Sequence, residues 1–324
     1  MTVVAAGRVV TTVRGDVPAS DIGPCHSHEH LFIKKGQPEQ LDPALVLDDY
    51  DKTKEEVERF KELGGKTIVD AQPVGSGRDA ALLLRLSEET DVHVLSCTGF
   101  HKLEFYPSGH WIHDTSEEEL RELFKSEIEN GLYADGEDAW PRERLNARAG
   151  LIKTAADVGG TIGKYFRLFR AAAAASLETG TPIMSHTELG HNALDQIKLY
   201  TDLGVPADQL IICHLDRKME NADYLLHVAG TGVYVELDTI GRFKYHTDEE
   251  EVQLIRMLID HGYEDQILLG LDTTRKRMKS YGGEIGLDHL QRSFLPMLRQ
   301  SGVTEQQMHK MMHTNPAKAF SKRS

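Results

Sequence analysis

The sequence predicts an α/β protein, a (β/α)8 TIM barrel preceded by a short β-hairpin-like segment. Eight short runs rich in Val, Ile and Leu are spread along the 324 residues, and turn-forming residues bound each run, as is typical of buried parallel strands. Segments with helical periodicity separate these runs, and eight strand–helix units suit a closed barrel better than an open sheet. No shift in composition divides the chain, so we expect a single barrel domain over residues 1–324.

The individual elements follow in chain order. Alternation over residues 3–13 predicts the hairpin-like segment. Ser116 and Glu119 have the spacing of a capping box before an apolar helical pattern, and residues 161–179 contain an alanine run, so both stretches are predicted helices. The long segment 99–148 is expected to lie over one mouth of the barrel. The predicted strands are residues 25–32, 66–71, 92–98, 150–154, 182–187, 210–215, 233–237 and 267–272.

Composition and charge argue against several classes of partner. The chain has 37 Lys and Arg against 51 Asp and Glu, a net charge of −14, so we expect no nucleic-acid or membrane-surface partner. No apolar run approaches the roughly 20 residues that a membrane-spanning helix needs, and the first residues lack the basic region of a signal peptide. Cys25, Cys97 and Cys213 are far apart and odd in number, which favours buried thiols in a reducing cytoplasm.

Polar residues end several of the predicted strands. The first strand ends in His28-Glu29-His30, and strand alternation places both imidazoles on one face. Because the C-terminal ends of barrel strands meet at one mouth, these side chains should converge there. Burying them without partners would cost several kcal/mol, whereas a pair of divalent metals would satisfy imidazole and carboxylate ligands together. The strand-end residues are His28, His30, Lys153, His186, His214 and Asp272.

Some of these residue types also have simpler interpretations. Lys153 is unusual because an ammonium repels metals, and carboxylation by CO2 would convert it into an anionic ligand that can bridge two ions. The alternative is an ion pair with Asp272 or with a substrate anion. His26 lies one step deeper than His28 and is expected to have a core or supporting role. Isolated histidines are more often packed or surface residues than ligands, which applies to His93, His227, His261, His289, His309 and His313.

Motifs along nearly the whole chain carry a family resemblance. They are Ser27-His28-Glu29-His30, Lys66-Thr67-Ile68-Val69-Asp70 with Gly77-Arg78-Asp79, Ile152-Lys153-Thr154, His186-Thr187, Cys213-His214-Leu215-Asp216, Gly270-Leu271-Asp272 and Asn315-Pro316-Ala317. In this order they resemble phosphotriesterases and phosphotriesterase-like lactonases of the amidohydrolase superfamily.

The resemblance implies two divalent ions per chain, which could be zinc, manganese, cobalt or iron. His28, His30 and Asp272 would hold the more buried ion, and His186 and His214 the more exposed one. An N6-carboxylated Lys153 and a hydroxide would bridge them. Two metals make hydroxide available at neutral pH and stabilise the developing oxyanion, while Asp272 would move a proton toward the leaving alkoxide. The family also implies a homodimer.

The loops after the last two strands indicate the substrate. Arg242 and Lys244 follow the seventh strand, and Arg275 and Tyr281 follow the eighth. These loops form the commonest phosphate site of such barrels, and Arg, Lys and hydroxyl groups are the donors that phosphate needs. We therefore predict that Lys244, Arg275 and Tyr281 bind a phosphate. The alternative is that the cations form a solvated face or pair with the acidic run 248–250.

The leading hypothesis is a binuclear-metal lactonase that opens a phosphorylated sugar lactone, because a subgroup of the family with similar loops does so. One alternative keeps the metal centre but acts on neutral lactones or organophosphate triesters. Another is a barrel that binds a ligand without catalysis, which the complete set of expected metal ligands disfavours.

Overall fold

The computed structural model describes residues 7–218 and 222–323 of the chain. Its centre is an eight-stranded parallel sheet whose strands stand side by side in chain order. The backbone amide of Asp272, beyond the last strand, donates to the carbonyl of His28 in the first at 3.0 Å, so the sheet closes on itself. The fold is a (β/α)8 TIM barrel, which confirms the prediction. The barrel strands are β3 (Cys25–Glu29), β4 (Thr67–Asp70), β5 (His93–Gly99), β6 (Ala149–Ala155), β7 (Ile183–His186), β8 (Leu210–Cys213), β9 (Tyr234–Leu237) and β10 (Ile267–Leu269).

An antiparallel hairpin precedes the barrel and packs against its N-terminal end. It consists of β1 (Val9–Thr12) and β2 (Gly15–Pro18), so its second strand lies beyond the stretch that the sequence indicated. Residues 3–6 of that stretch lie outside the described residues. The amide of Val13 donates to the carbonyl of Val94 at 2.9 Å. Val10 joins the apolar cluster inside the barrel, so the hairpin covers the end opposite the predicted metal ligands.

Helices connect the strands, and their boundaries follow local sequence signals. Ser116 and Glu119 form the predicted capping box, and the helix after them runs over Glu117–Glu129. The helix predicted for residues 161–179 starts only at Lys164, because Gly163 before it has a φ of 61°, which helical residues do not adopt. The helices are α1 (Gln37–Leu41), α2 (Tyr50–Glu62), α3 (Ala80–Thr90), α4 (Glu117–Glu129), α5 (Lys164–Thr179), α6 (Ala193–Asp202), α7 (Ala222–Gly230), α8 (Asp248–Asp260), α9 (Leu295–Gln300), α10 (Glu305–His309) and α11 (Asn315–Ala319).

The long segment between β5 and β6 divides into two parts. Its first part carries Lys102 and Phe105 to the C-terminal mouth, as expected for a loop over the barrel. Its second part contains α4, which packs beside α5 in the outer helical layer. The expectation therefore fails for α4, whereas the residues after this helix return toward the mouth, since the amine of Lys34, in the loop after β3, lies 3.2 Å from the carbonyl oxygen of Ala134. In the part of the chain that the structure describes, no helix is long and apolar enough to cross a membrane.

The core explains why the polar groups gather at one mouth. A large apolar cluster lies between the sheet and the helices, and a second one fills the inside of the barrel. The three cysteines are buried and unpaired, and all belong to the inner cluster, as their spacing indicated. The inner cluster fills the barrel with apolar side chains, and the buried polar ligand residues lie near the C-terminal strand ends.

Candidate metal centre

The six predicted ligand residues converge at the C-terminal mouth, and all six are buried. Nε2 of His30 lies 3.3 Å from Oδ1 of Asp272. Nε2 of His28 lies 3.3 Å from Nζ of Lys153. Nδ1 of His186 lies 2.7 Å from Nε2 of His214. The rings of His28 and His214 have centroids 5.0 Å apart, and Nε2 of His28 lies 3.9 Å from Oδ1 of Asp272, so the three pairs form one cluster.

Backbone conformation at two strand ends directs the ligands inward. His214 directly follows β8 and has a φ of 64°, and Asp272 lies three residues after the end of β10 and has a φ of 45°. Non-glycine residues rarely adopt such angles, and the strain, of order 1–3 kcal/mol each, is typical of functional sites. Glu29, which points away from the mouth, accepts the amides of Leu271 and Thr273 at 3.0 and 3.2 Å. It therefore fixes the turn that carries Asp272.

Two further carboxylates support the histidines. Nδ1 of His28 donates to Oε2 of Glu236 at 2.8 Å, and Nδ1 of His214 donates to Oδ1 of Asp238 at 2.7 Å. Metal-binding histidines commonly donate their second ring N–H to a carboxylate, which orients the free nitrogen toward the ion. Sequence reasoning missed both residues. The sequence did contain a signal for them. Glu236 and Asp238 are two positions apart at the end of the seventh barrel strand, and strand alternation places both side chains on the same, inner face.

His26 has the supporting position that the sequence suggested. Its Nδ1 lies 2.9 Å from Oε1 of Glu29, and its Nε2 lies 3.2 Å from Oε1 of Gln291. It thus braces the glutamate that holds the Asp272 turn, away from the ligand cluster.

The electrostatics of the cluster suit metal binding. Burial lowers the pKa of His186 to about 3 and holds that of His214 well below its usual value, so both rings are neutral and offer lone pairs. Burial alone would raise the pKa of Asp272, but the guanidinium groups of Arg242 and Arg217 hold it well below its usual range. These three donors are therefore in the protonation states that a divalent cation requires. Burial and Lys153 lower the pKa of His28, but the carboxylates of Glu236 and Asp238 outweigh them and raise it well above its usual value, so a metal must displace a proton from this ring.

Lys153 is the residue that most needs an explanation. Its side chain is buried, and its amine has His28 Nε2 and the thiol of Cys213 as neighbours, the latter at 3.8 Å. Among the described residues it forms no ion pair, which disfavours the simple lysine–aspartate alternative. A buried ammonium without a counter-charge is costly, and carboxylation would remove that charge. Oδ1 of Asp272 and the ring nitrogens of His28 and His30 also lie close enough together to hold one ion, so the residues present fit a metal centre.

A cavity of about 340 Å³ opens above the ligand cluster. Its wall contains cations that sequence reasoning did not select, chiefly Arg217 and Arg242, which both contact Oδ2 of Asp272. The ring of Tyr245 lies beneath both guanidinium groups, 5.5 and 5.4 Å from them. Lys102 also lines the cavity, and its amine lies 2.8 Å from Glu188. The mouth therefore combines the ligand cluster with a positively charged wall.

The three predicted phosphate ligands have different environments. Lys244 lines a second cavity of about 590 Å³ that shares Arg242 with the first. Nη1 of Arg275 lies 3.3 Å from Oδ1 of Asp48, and its side chain lines a separate depression. The hydroxyl of Tyr281 donates to the carbonyl of Asp49 at 2.8 Å. The structure thus brings Lys244 beside the metal cavity and brings neither Arg275 nor Tyr281 into it.

Comparison with known proteins gives the family. The sequence model of the Phosphotriesterase family matches residues 8–320. The chain belongs to the phosphotriesterase family. It is 31% identical over 299 residues to the phosphotriesterase homology protein of Escherichia coli, which covers 91% of this chain and 96% of that protein. It is 31% identical over 320 residues to a phospho-furanose lactonase of Mycoplasmopsis synoviae, which covers 95% of this chain and 90% of the relative.

Solved structures agree with this assignment. The crystal structure of a lactonase from Listeria monocytogenes superposes with a TM-score of 0.90 at 30% identity, covering 98% of this chain and all of that one. Several of these relatives are named as lactonases, and one is named as an aryldialkylphosphatase. This phosphotriesterase-family chain is accordingly a metal-dependent hydrolase with a TIM-barrel fold, as the sequence predicted.

Proposed function

We propose that this hydrolase opens phosphorylated sugar lactones at a binuclear metal centre. The observation that carries the proposal is that six buried ligand-type side chains lie beside a cavity that continues into a second, cation-lined cavity. A lactone ring at the first cavity could place its phosphate at the second. Similarity to relatives named phospho-furanose lactonase, at 31% identity, supports this substrate class.

The proposed ligands divide into two sets. His28, His30 and Asp272 would hold one ion, His186 and His214 would hold the other, and an N6-carboxylated Lys153 would supply a ligand to both. When bound, such ions lower the pKa of water and polarise the substrate carbonyl. Zinc, manganese, cobalt and iron all accept this mixture of imidazole and carboxylate donors.

Asp272 is the proposed proton acceptor. Its Oδ1 faces His30 and its Oδ2 faces the guanidinium groups of Arg217 and Arg242, so the carboxylate is held in one orientation. The same guanidinium groups keep it ionised, so that it can take a proton from the attacking water and pass it to the leaving alkoxide. Glu236 and Asp238 keep His28 and His214 in the tautomer that offers Nε2 to the centre.

The phosphate is proposed to bind where the two cavities meet. Arg242 lines both of them, and Lys244 lines the second. An arginine fork and a lysine charge are suitable phosphate donors. Arg277 also lines the second cavity, but its guanidinium contacts the carbonyls of Leu271 and Asp272 and is already engaged. The assignments of Arg275 and Tyr281 as phosphate ligands stay predictions from the sequence.

Two alanine variants test the phosphate assignment. Lys244→Ala should raise the KM for a phosphorylated lactone about tenfold or more, since hydrogen bonds to charged groups contribute about 1.5–3 kcal/mol. It should leave the KM for the unphosphorylated lactone unchanged. Lys198→Ala, which removes an exposed lysine of α6, is the control and should change neither KM. Arg275→Ala tests the sequence-based assignment separately, because a phosphate contact from Arg275 would raise the KM of the phosphorylated lactone only. Equal effects of Lys244→Ala on both lactones would contradict the phosphate role.

A second candidate keeps the metal centre and changes the substrate. Leu41, Leu45 and Phe105 give the metal cavity an apolar side, which would accept a neutral lactone or an organophosphate triester. A relative from Saccharolobus solfataricus, 28% identical over 329 residues, is named aryldialkylphosphatase. Higher turnover of neutral substrates than of phosphorylated lactones would favour this candidate. The single domain, the homodimer and the cytoplasmic location stay predictions from the sequence.

A further inference from the structure

A second cluster of potential metal ligands lies behind the catalytic mouth. It consists of Asp216, in the turn after β8, His246, in the loop before α8, and Glu251, in the first turn of α8. Nε2 of His246 lies 3.1 Å from Oε2 of Glu251 and 3.9 Å from Oδ2 of Asp216. All three side chains are buried, and one ligand atom from each lies within 4.8 Å of the others.

The hydrogen bonds of His246 define its tautomer. Nδ1 lies 3.1 Å from the carbonyl oxygen of Thr247, which can only accept, so Nδ1 carries the hydrogen. Burial lowers the pKa of His246, and the ring is therefore neutral. Nε2 consequently presents a lone pair toward the carboxylate of Glu251. Donation of the other ring N–H to a carbonyl is also the usual arrangement of a metal-binding histidine.

Among the described residues, three of the four carboxylate oxygens of this cluster have no hydrogen-bond partner. They are both oxygens of Glu251 and Oδ1 of Asp216. Oδ2 of Asp216 accepts the amide of Thr239 at 2.6 Å. The hydroxyl of Thr239 lies 3.0 Å from Nε2 of His246, but its single proton cannot satisfy the histidine and both acids. Lone pairs that face one another in a buried site repel unless a cation or a proton lies between them.

We propose that Asp216, His246 and Glu251 bind a third divalent cation, of the zinc or manganese class, separate from the catalytic pair. Two carboxylates balance the charge of one such ion, and a nitrogen with two oxygens is a donor set that these metals accept. Ligand–metal bonds of about 2.0–2.2 Å place neighbouring ligands about 3–3.5 Å apart, close to the separation of His246 and Glu251. The oxygen of Thr239 would add a neutral donor.

The proposed ion would join the loops that carry the cationic wall of the active site. Asp216 precedes Arg217, while His246 follows Arg242 and Tyr245 in the loop after β9. Both arginines contact Asp272, so an ion behind them would fix the wall of the substrate cavity. The competing explanation is a proton on Glu251, because burial and the nearby Asp216 and Asp238 raise the pKa of this residue.

Metal counting separates the two explanations. Protein loaded with Mn²⁺ or Zn²⁺ and freed of loose metal by gel filtration would be analysed by inductively coupled plasma mass spectrometry. We expect about three ions per wild-type chain, the catalytic pair and one more. Glu251→Gln should lower the content by about one ion, and Glu249→Gln, an exposed neighbour on the same helix, should not. A wild-type content of two or fewer, or equal contents in wild type and Glu251→Gln, would overturn the proposal.

Two further measurements exclude loss of the catalytic ions and misfolding of the variant as causes of a lower metal content. In a chain that also carries His28→Asn and His30→Asn, Glu251→Gln should still remove about one ion, so loss of the catalytic pair is distinguishable from loss of the third site. Should Glu251→Gln not fold, crystals of the wild-type protein grown with Mn²⁺ give the answer. An anomalous peak between Asp216, His246 and Glu251 would support the proposal, and a map without this peak would overturn it.

Discussion

Asp238 is a shared support of the proposed metal centre, and its replacement by asparagine should weaken metal binding. Its Oδ1 accepts from Nδ1 of His214 at 2.7 Å, and its Oδ2 accepts from the amide of the same residue at 3.0 Å. Oδ2 also lies 3.3 Å from Nδ1 of His28. An asparagine has one oxygen, so in either orientation its NH2 group must face a buried N–H donor. The substitution therefore removes a charge-assisted hydrogen bond and creates a donor–donor contact.

The expected magnitude follows from those contacts. A hydrogen bond to a charged group contributes about 1.5–3 kcal/mol, and an unsatisfied buried donor costs about 1–3 kcal/mol. Loss of such supporting partners commonly lowers metal affinity about 10- to 100-fold. We expect a change in this range for Asp238→Asn, which corresponds to about 1.4–2.7 kcal/mol of binding free energy. The wild-type dissociation constant is the reference.

Competition with a chelator of known affinity measures the effect. Circular dichroism of the metal-free proteins shows whether the variant keeps its fold, so that weaker binding is not confused with unfolding. The matched control is Asp202→Asn, which removes an exposed carboxylate from α6. If Asp238→Asn and Asp202→Asn bound metal with the same affinity as wild type, the supporting role of Asp238 would be refuted.

Three other changes give further tests. Lys153→Met keeps the side-chain volume but cannot react with CO2, so metal content and kcat should both collapse, and bicarbonate in the growth medium should raise the metal content of wild type only. Gly99→Ala should destabilise the barrel by at least about 1–3 kcal/mol, because the φ of Gly99 is 99° and a Cβ would lie 1.9 Å from the carbonyl oxygen of Lys153. Thermal unfolding measures this loss. Gly109→Ala is the control, because a Cβ at that position meets nothing within 4 Å. Burial lowers the pKa of His110 to about 4, so the unfolded chain takes up its proton first as the pH falls. The contribution of His110 to stability should be complete above about pH 6.5 and decline toward pH 4, and Tm should fall less over this window in His110→Gln.

The ligand cluster could be predicted because it follows from strand geometry. The C-terminal ends of parallel barrel strands meet, so a polar residue that ends each apolar run must approach the others. His186 and His214 are 28 residues apart in the chain, yet they are neighbours because β7 pairs with β8 in register. The alternation of His28 and His30 on β3 likewise assigned both rings to one face.

The cationic wall could not be predicted in the same way, because loop residues have no such periodicity. Arg242 and Arg275 both follow barrel strands and have the same charge, but the first turns toward Asp272 and the second toward Asp48. The path of each loop decides this direction. Asp216, His246 and Glu251 are also spread over three separate elements, so their proximity depends on how α8 packs against the turn after β8.

The most direct test of the proposed function is a proton-release assay on the metal-loaded protein. It would compare sugar lactones of five and six carbons, each with and without a terminal phosphate, before and after chelation of the metal. The proposal predicts that the phosphorylated lactones have the higher kcat/KM, and that chelation abolishes turnover and added Mn²⁺ or Zn²⁺ restores it. Equal or faster turnover of the unphosphorylated lactones, or turnover that survives chelation, would contradict it.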